Sequence, residues 1–364
     1  MKNPFKYSRL VINKAFCNRK YEQDQLLDLI QNSENVLLYS HRKTGKSSLI
    51  HKVFRKLIEE KSNIKTIYID LYGTLSEQDF IDAVFTGLTQ IEPSHKRILK
   101  AIPGLKMVSS IDPMTNLPTI SISSEPSEKK NMLAKAMQTL ESYSMKNQLA
   151  VALDEFQEIS GYSEDGFEKR LRSFIQLHSR ISYIFSGSQQ HILTQMFNSS
   201  KRAFYHSAHS FPLDNIEMSH FVSWAQNLFA EKKIDLPLEA IENITERCCY
   251  QPLYIQQFLY ELWKVKVIDT KKIDDIENEI LQSHRNEYIS IFDGLTTNQK
   301  KAMKLLAKTD GESIYQTDML NSMGFKSGSL LSRAIKSLLD KELIVKNGRY
   351  RIHDIMFKKW IMAI

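Results

Sequence analysis

VLLYSHRKTGKSSLI, residues 36–50, opens the stretch Val36–Ile58 on which the rest of the fold depends. Its apolar run Val36–Tyr39 predicts a buried strand, and the apolar residues from Leu49 onward recur at helical spacing. A basic turn containing Gly45 lies between the strand and the helix. A strand that leads through such a turn into a helix N-terminus is the arrangement of a phosphate-binding P-loop.

The turn and the start of this helix supply the candidate phosphate ligands. Backbone N–H groups and the positive end of the helix dipole would cradle the phosphates, while Lys46 would neutralise the β- and γ-phosphates and assist catalysis. The Ser47 hydroxyl is a candidate Mg²⁺ ligand. The pattern G-x-x-x-x-G-K-[ST] is broken at Ser40, where glycine is expected. The predicted phosphate-binding residues are Ser40, His41, Arg42, Lys43, Thr44, Gly45, Lys46, Ser47 and Ser48.

A later strand ends in an acidic pair. The apolar run Gln148–Leu153 is followed by Asp154 and Glu155, which is the Walker B arrangement. We predict that Asp154 holds Mg²⁺ through its water shell and that Glu155 orients and polarises the attacking water. An apolar strand followed by Asp-Glu is common on its own, so the Gly-Lys-Ser turn upstream is what makes this pair a candidate hydrolytic site.

A further buried strand, Ile181–Phe185, also leads into polar residues. Its tip lies where a side chain can hydrogen-bond the γ-phosphate or the attacking water, and Ser188 and Gln189 are the candidates. The alternative is that these two side chains cap the following helix, Gln190–Phe197.

Strands and helices alternate through the first two thirds of the chain, which predicts an α/β fold with a parallel sheet. Two strand-like runs between Pro103 and Pro126 predict an inserted β-hairpin, which is either a partner-binding arm or an exposed decoration. Helical patterns run from Glu217 to Phe292. The predicted domains are 1–214 for the P-loop core with its hairpin at about 103–126, 215–294 for a helical segment, and 295–364 for a winged helix-turn-helix.

The winged helix is predicted from three helices and a hairpin. The helices are Thr297–Lys308, Gln316–Met323 and Ser329–Lys341, and the hairpin turns at Asn347-Gly348. In a DNA-binding version, the third helix and the wing would contact bases and phosphates. The side chains available for this are Ser329, Ser332, Arg333, Lys336, Lys346, Arg349 and Arg351.

Charge is concentrated in this last segment. Residues 295–364 contain 13 Lys/Arg and 6 Asp/Glu, a net charge of +7, which equals the formal net charge of the whole chain. Three explanations are open: a solvated basic face, a protein-interaction module, or a DNA-binding surface.

Composition places few other constraints on function. No apolar run reaches about 18 residues and the N-terminus has no apolar signal core, so we expect a cytoplasmic protein without membrane spans. Three cysteines are too few for a disulfide framework, and Cys17, Cys248 and Cys249 are interpreted as buried structural thiols.

Motifs from residue 3 to residue 361 resemble the archaeal-type ATPases of the STAND class, P-loop switch proteins related to AAA+, in the form common in Bacteroidetes genomes. The leader NPFKY with Phe16 and Arg19 is one such motif. The others are the P-loop SHRKTGKSSLI, DLYGT after the second strand, LDEFQEI, FSGSQQH, RAFYHSAHSFPL, YQPLYIQQ and the C-terminal HDIMFKKWI.

The resemblance implies ATP and Mg²⁺ as ligands and slow hydrolysis used as a switch. It also implies a P-loop NTPase parallel sheet of five strands with helices on both faces, followed by an all-α lid and a C-terminal winged helix. One departure concerns hydrolysis, because this chain has His206-Ser207 where many relatives have Gly-Arg. Loss of an arginine that stabilises transition-state charge would lower the rate by roughly 10³-fold or more, and Arg202 is a candidate substitute.

Three functional hypotheses follow. The first is an ATP-binding, weakly hydrolysing switch whose nucleotide state controls the winged helix. The second is a regulator or initiator-like protein in which ATP gates DNA binding. The third is a nucleotide-binding scaffold without turnover, used in protein assembly.

Overall fold

The computed structural model describes residues 2–40, 43–91, 106–111, 118–123 and 131–364, which form two compact units. One unit is Arg19–Asp214. The other joins Met1–Asn18 to Asn215–Ile364, so the chain passes between the units twice. The domain division at 214/215 and 294/295 stays a prediction.

The unit Arg19–Asp214 is built on a five-stranded parallel sheet, which confirms the predicted fold class. Every residue of the neighbouring strands Leu149–Asp154 and Ile181–Gly187 is buried. Both strands are therefore recognisable in the sequence as continuous apolar runs. The spatial order of the strands is β2 (Lys65–Asp70), β5 (Leu149–Asp154), β6 (Ile181–Gly187), β1 (Val36–Tyr39) and β7 (His209–Pro212).

Six helices of this unit are described. The second begins directly after the P-loop and buries Leu49, Ile50, Val53 and Phe54 on one side. Ile58 was predicted to continue that apolar side but is 67% exposed, because Leu57 takes the buried position in the last turn. The helices are α1 (Lys20–Gln31), α2 (Lys46–Glu59), α3 (Glu77–Ile91), α4 (Met132–Ser144), α5 (Phe167–Ile175) and α6 (Gln190–Asn198).

The inserted hairpin is confirmed between α3 and α4. Its strands β3 (Lys106–Ile111) and β4 (Pro118–Ser123) are antiparallel, with Lys106 opposite Ser123 and Ile111 opposite Pro118. The rest of the predicted segment 103–126, including its turn-rich tip, lies outside the described residues.

The second unit is helical, and the N-terminal leader packs on its helices. The Phe5 ring contacts Trp224, Phe229 and Trp263, with ring centroids 5.2 to 5.8 Å apart. The last part of the predicted helical stretch Glu217–Phe292 forms two helices that meet at His284, whose ring stacks on Tyr288. The helices that precede the winged helix are α7 (Met218–Glu231), α8 (Leu238–Arg247), α9 (Pro252–Leu262), α10 (Thr270–Ser283) and α11 (Arg285–Asp293).

The winged helix has the predicted three helices and hairpin. Its first helix begins with a capping box: the Thr296 side chain accepts from the Gln299 backbone N–H, and the Gln299 side chain accepts from the Thr296 backbone N–H. An additional C-terminal helix begins at Asp354, whose carboxylate accepts from two backbone N–H groups and from the Tyr254 hydroxyl at 2.6 Å. The elements are α12 (Thr297–Thr309), α13 (Thr317–Ser322), α14 (Gly328–Asp340), β8 (Ile344–Asn347), β9 (Arg349–Ile352) and α15 (Ile355–Met362).

The three cysteines are not all buried. Cys17 and Cys248 are buried as predicted, but Cys249 is exposed; it lies just past the end of α8 and has a positive φ. Within the described ranges, no helix is both long enough and apolar enough to cross a membrane.

Candidate functional site

The candidate site lies where three neighbouring strands end. The spatial order places β5, β6 and β1 side by side, and all three are parallel. The P-loop follows β1, Asp154 ends β5, and Ser188 follows β6. Residues more than 100 positions apart therefore meet at one edge of the sheet, as ligand-binding residues do in open α/β folds.

The P-loop is held in shape by its own side chains. Lys46 Nζ donates a hydrogen bond to the Ser40 carbonyl oxygen at 3.0 Å, and the Ser40 and Thr44 hydroxyls bond to each other. Gly45 has a φ of +95°, a conformation that glycine adopts without strain. Ser40 does not have a positive φ, so a residue with a side chain fits where the P-loop pattern expects glycine. The predicted ligands His41 and Arg42 lie outside the described residues.

Arg19 supports the P-loop from the start of α1. It is 3% exposed, and its guanidinium donates to the Thr44 carbonyl oxygen at 3.2 Å while pairing with Glu22 at 2.7 Å. The resemblance had singled out Arg19 without giving it a role. The structure shows that its side chain fixes the backbone directly before Gly45.

The Asp154 carboxylate is the centre of a hydrogen-bond network. Oδ2 accepts from the Ser47 hydroxyl at 2.8 Å and from the Tyr68 hydroxyl. Oδ1 accepts from the Ser186 hydroxyl at 2.6 Å and from the Glu155 backbone N–H at 3.1 Å. Asp154 is only 5% exposed, and these four donors satisfy the charge that burial would otherwise leave unpaired.

The oxygen atoms of Asp154 and Ser47 are suitable ligands for Mg²⁺. A carboxylate and a hydroxyl from different elements lie in direct contact, and oxygen ligands are those that Mg²⁺ prefers. The described residues contain no cluster of three or more His, Cys, Asp or Glu suited to a metal. Two protein ligands are nevertheless sufficient for an ion that takes its remaining ligands from water and substrate phosphates.

Glu155 is held by Ser188, which follows β6, and by Gln157, two residues further along its own segment. Its backbone is left-handed, with φ at 52°. Its Oε2 accepts from the Ser188 backbone N–H at 3.1 Å, from the Ser188 hydroxyl at 2.9 Å and from Gln157 Nε2 at 2.5 Å. Ser188 therefore contacts the predicted catalytic carboxylate. Gln189 is the N-cap residue of α6, but its side chain makes no capping hydrogen bond.

Gln157 is a site residue that sequence reasoning missed, although it belongs to the quoted motif LDEFQEI. It is 3% exposed and lies against Gly187 at the end of β6. A Cβ atom on Gly187 would come within 2.0 Å of Gln157 Oε1, so glycine is required for this side chain to reach Glu155. The glycine in FSGSQQH is the sequence signal that could have indicated such a close approach.

Negative charge accumulates at this edge of the sheet. Burial raises the pKa of Asp70, the Tyr72 N–H opposes that shift, and the carboxylates of Asp154 and Glu155 raise it further. The pKa of Glu158 is also raised, first by burial and then by Glu155. A cation bound here would relieve this repulsion.

The predicted substitute arginine has a partner of its own. Arg202 forms a salt bridge with Glu168 in the first turn of α5. His206, at the position where the resembled family is expected to carry Gly-Arg, has a left-handed backbone with φ at 51°. A catalytic role for Arg202 stays a prediction, and it would require the salt bridge with Glu168 to break.

Two known domain families match parts of the chain. Residues 30–196 match the AAA domain family, and residues 286–363 match a family described as a probable winged helix domain. No similar sequence is found among curated proteins.

Solved structures share the fold at low sequence identity. A Walker-type ATPase of Pyrococcus abyssi is 18% identical, with a TM-score of 0.69 over 98% of this chain and 99% of that one. The ORC2 protein of Aeropyrum pernix, solved as ADPNP-ADP complexes, is 14% identical with a TM-score of 0.57 over 99% and 98%. The ORC1 protein of the same organism, solved with DNA, is 12% identical with a TM-score of 0.50 over 97% and 94%.

Proposed function

Because the chain carries an AAA domain and a C-terminal winged helix domain on a P-loop ATPase fold, we propose that it is an ATP-binding switch that hydrolyses ATP slowly. Its nucleotide state would control the interactions of the winged helix. The observation that carries the proposal is the convergence of Lys46, Ser47, Asp154 and Glu155 at one edge of the sheet.

Each of these residues has a role that its position supports. The P-loop backbone and Lys46 would bind the phosphates, and Ser47 with Asp154 would hold Mg²⁺, which would neutralise charge on the β- and γ-phosphates. Glu155 would orient the attacking water. Its carboxylate is already held by Ser188 and Gln157, so we interpret Ser188 as a residue that positions Glu155.

Slow turnover is proposed on two observations. The chain has His206-Ser207 where the family it resembles is expected to carry Gly-Arg, and Arg202 is engaged by Glu168. Glu155 must also keep or exchange three hydrogen bonds while it contacts water. Both features favour slow hydrolysis, so that ATP stays bound for longer than it does in an enzyme with rapid turnover.

The proposal is tested by measuring binding and turnover on the same wild-type sample. Calorimetric titration with ATP and with ADP in the presence of Mg²⁺ is expected to show saturable one-site binding. Phosphate release is expected to be detectable but slower than about 1 s⁻¹, the low end of typical enzyme turnover. Absence of saturable binding by either nucleotide would refute the proposal.

Nucleic-acid binding is a second candidate function, favoured by the surface of α14. Ser329, Ser332, Arg333 and Lys336 are all exposed on this helix. The wing offers less charge than its sequence suggests, because its arginines pair with acidic residues. Arg349 bonds to Glu312 and lies 3.2 Å from Asp310, and Arg351 lies 3.0 Å from Asp310.

Asp310 is shared by three cationic side chains, Arg349, Arg351 and Lys358. Burial alone would raise the pKa of Asp310, but Lys358, Arg351 and Arg349 outweigh it and hold that pKa below its ordinary value. Phosphate contacts from the wing would have to compete with this carboxylate. We therefore assign any DNA contact chiefly to α14.

If α14 carries the phosphate contacts, replacing both Arg333 and Lys336 by alanine is expected to weaken binding to duplex DNA. Across 50 to 200 mM salt, the slope of log affinity against log salt should fall by about two, roughly one for each lost phosphate contact. Electrophoretic shift assays measure both quantities. Arg349→Ala is the matched control and should change the slope by less than half a unit. Wild-type slope in the double variant would exclude this surface as the binding site.

A further inference from the structure

Tyr68 contacts Asp154, one of the two side chains that would hold Mg²⁺. Its hydroxyl donates to Asp154 Oδ2, the oxygen that also accepts from the other one, Ser47. The ring packs on His51 of α2, with ring centroids 4.3 Å apart. Tyr68 lies on β2, the strand that neighbours β5 in the sheet, and sequence reasoning gave it no role.

The acceptor capacity of Asp154 is fully used in this arrangement. A carboxylate offers about four lone-pair sites, and four donors occupy them: Ser47, Tyr68, Ser186 and the Glu155 N–H. A water molecule bound to Mg²⁺ is itself a donor. If Asp154 holds the ion through such a water, one of the present donors must leave.

The four donors differ in how easily they can withdraw. The Glu155 N–H is fixed by the backbone, and Ser186 is completely buried within β6. Ser47 can keep its hydrogen bond to Asp154 while offering its own lone pairs to the metal. Tyr68 is only half-buried, and its hydroxyl is the donor placed on the Ser47 side of the carboxylate.

We propose that Tyr68 competes with Mg²⁺ for this site, because its hydroxyl occupies the place on Asp154 that a metal-bound water needs. The inference rests on the proposed nucleotide-binding function and adds a determinant of metal affinity to it. Tyr68 satisfies Asp154 when the metal is absent and must release that carboxylate when the metal binds. Its hydroxyl therefore raises the Mg²⁺ concentration at which ATP is bound tightly.

The test is Tyr68→Phe, which keeps the ring against His51 and removes only the hydroxyl. The measured quantity is the ratio of the ATP dissociation constant in EDTA to that in excess Mg²⁺, determined by calorimetry. This ratio cancels any effect of the substitution that changes ATP binding equally with and without the metal. Since a hydrogen bond to a charged group is lost, the ratio is expected to rise roughly tenfold in the variant.

Tyr162→Phe is the matched control, because its hydroxyl donates to Thr74 at 2.7 Å in the same unit and touches neither Ser47 nor Asp154 in the described structure. Its ratio should equal that of the wild type.

A lower or unchanged ratio in Tyr68→Phe, with ATP binding intact, would overturn the competition model, since a residue that merely orients Asp154 would weaken metal binding when lost. Tyr68→Leu repeats the test if the phenylalanine variant folds poorly. If the wild type binds no ATP under either condition, the proposed function fails, and that result is distinct from an unfavourable ratio.

Discussion

Alanine at Lys46 is expected to abolish the stabilisation that Mg-ATP gives to the wild-type protein. ATP at about 100 times its dissociation constant should raise the free energy of unfolding by about 2.7 kcal/mol. For a unit the size of Arg19–Asp214, this corresponds to a rise in Tm of roughly 5 to 10 °C. Lys46 is the first residue of α2 and, in the proposed site, would face the phosphates, so its loss should remove most of that gain. A thermal shift series with and without Mg-ATP measures the difference.

The comparison must separate nucleotide binding from the structural role of the same side chain. Lys46 Nζ also bonds the Ser40 carbonyl, so the variant is expected to melt somewhat lower even without ligand. The decisive quantity is therefore the shift caused by Mg-ATP in each protein. Lys56→Ala is the control, because Lys56 lies on the same helix and forms a surface pair with Asp24. Equal shifts in Lys46→Ala and in wild type would show that ATP does not bind at the P-loop.

Sequence reasoning located those parts of the site that are carried by local pattern. The P-loop, β1 and α2 follow one another within Val36–Glu59, and the apolar run before Asp154 predicted β5 to within one residue. Buried parallel strands are recognisable because both faces are apolar. Gly45, directly before Lys46, has a positive φ, and this local requirement is the reason that the P-loop motif has glycine there.

The missed residues depend on strand order, which the sequence pattern does not contain. Tyr68 reaches Asp154 only because β2 lies beside β5, an adjacency between segments about eighty residues apart. Ser186 reaches the same carboxylate because β6 lies on the other side of β5. Periodicity assigns each side chain to a face of its own strand, but it does not say which strand comes next.

The wing shows the same limit in its electrostatics. From sequence, Arg349 and Arg351 looked available for phosphate, since both lie on a short hairpin in a basic segment. The structure places Asp310, at the end of α12, against both of them. Net charge therefore overstated the basic surface, because it counts paired and unpaired charges alike.

Glutamine at Glu155 is expected to lower phosphate release by about 100-fold or more while leaving ATP affinity within about twofold of wild type. The substitution removes the carboxylate that would polarise the attacking water and changes neither the P-loop nor Asp154. The amide oxygen can still accept from Ser188, so the local fold should be kept. Single-turnover phosphate release and calorimetric titration provide the two measurements.

Glu158→Gln is the matched control for charge. Glu158 lies in the short 3-10 helix Phe156–Gly161 that directly follows Glu155. Its pKa is raised by burial and by Glu155, so its replacement relieves much of the same repulsion. It should leave turnover within about threefold of wild type, because a neighbouring charge acts on the reaction only through solvent-screened electrostatics. Equal rates in Glu155→Gln and wild type would remove Glu155 from the hydrolytic step. A wild type that binds Mg-ATP without releasing phosphate would instead favour the scaffold hypothesis, in which the three hydrogen bonds on Glu155 hold the carboxylate away from water.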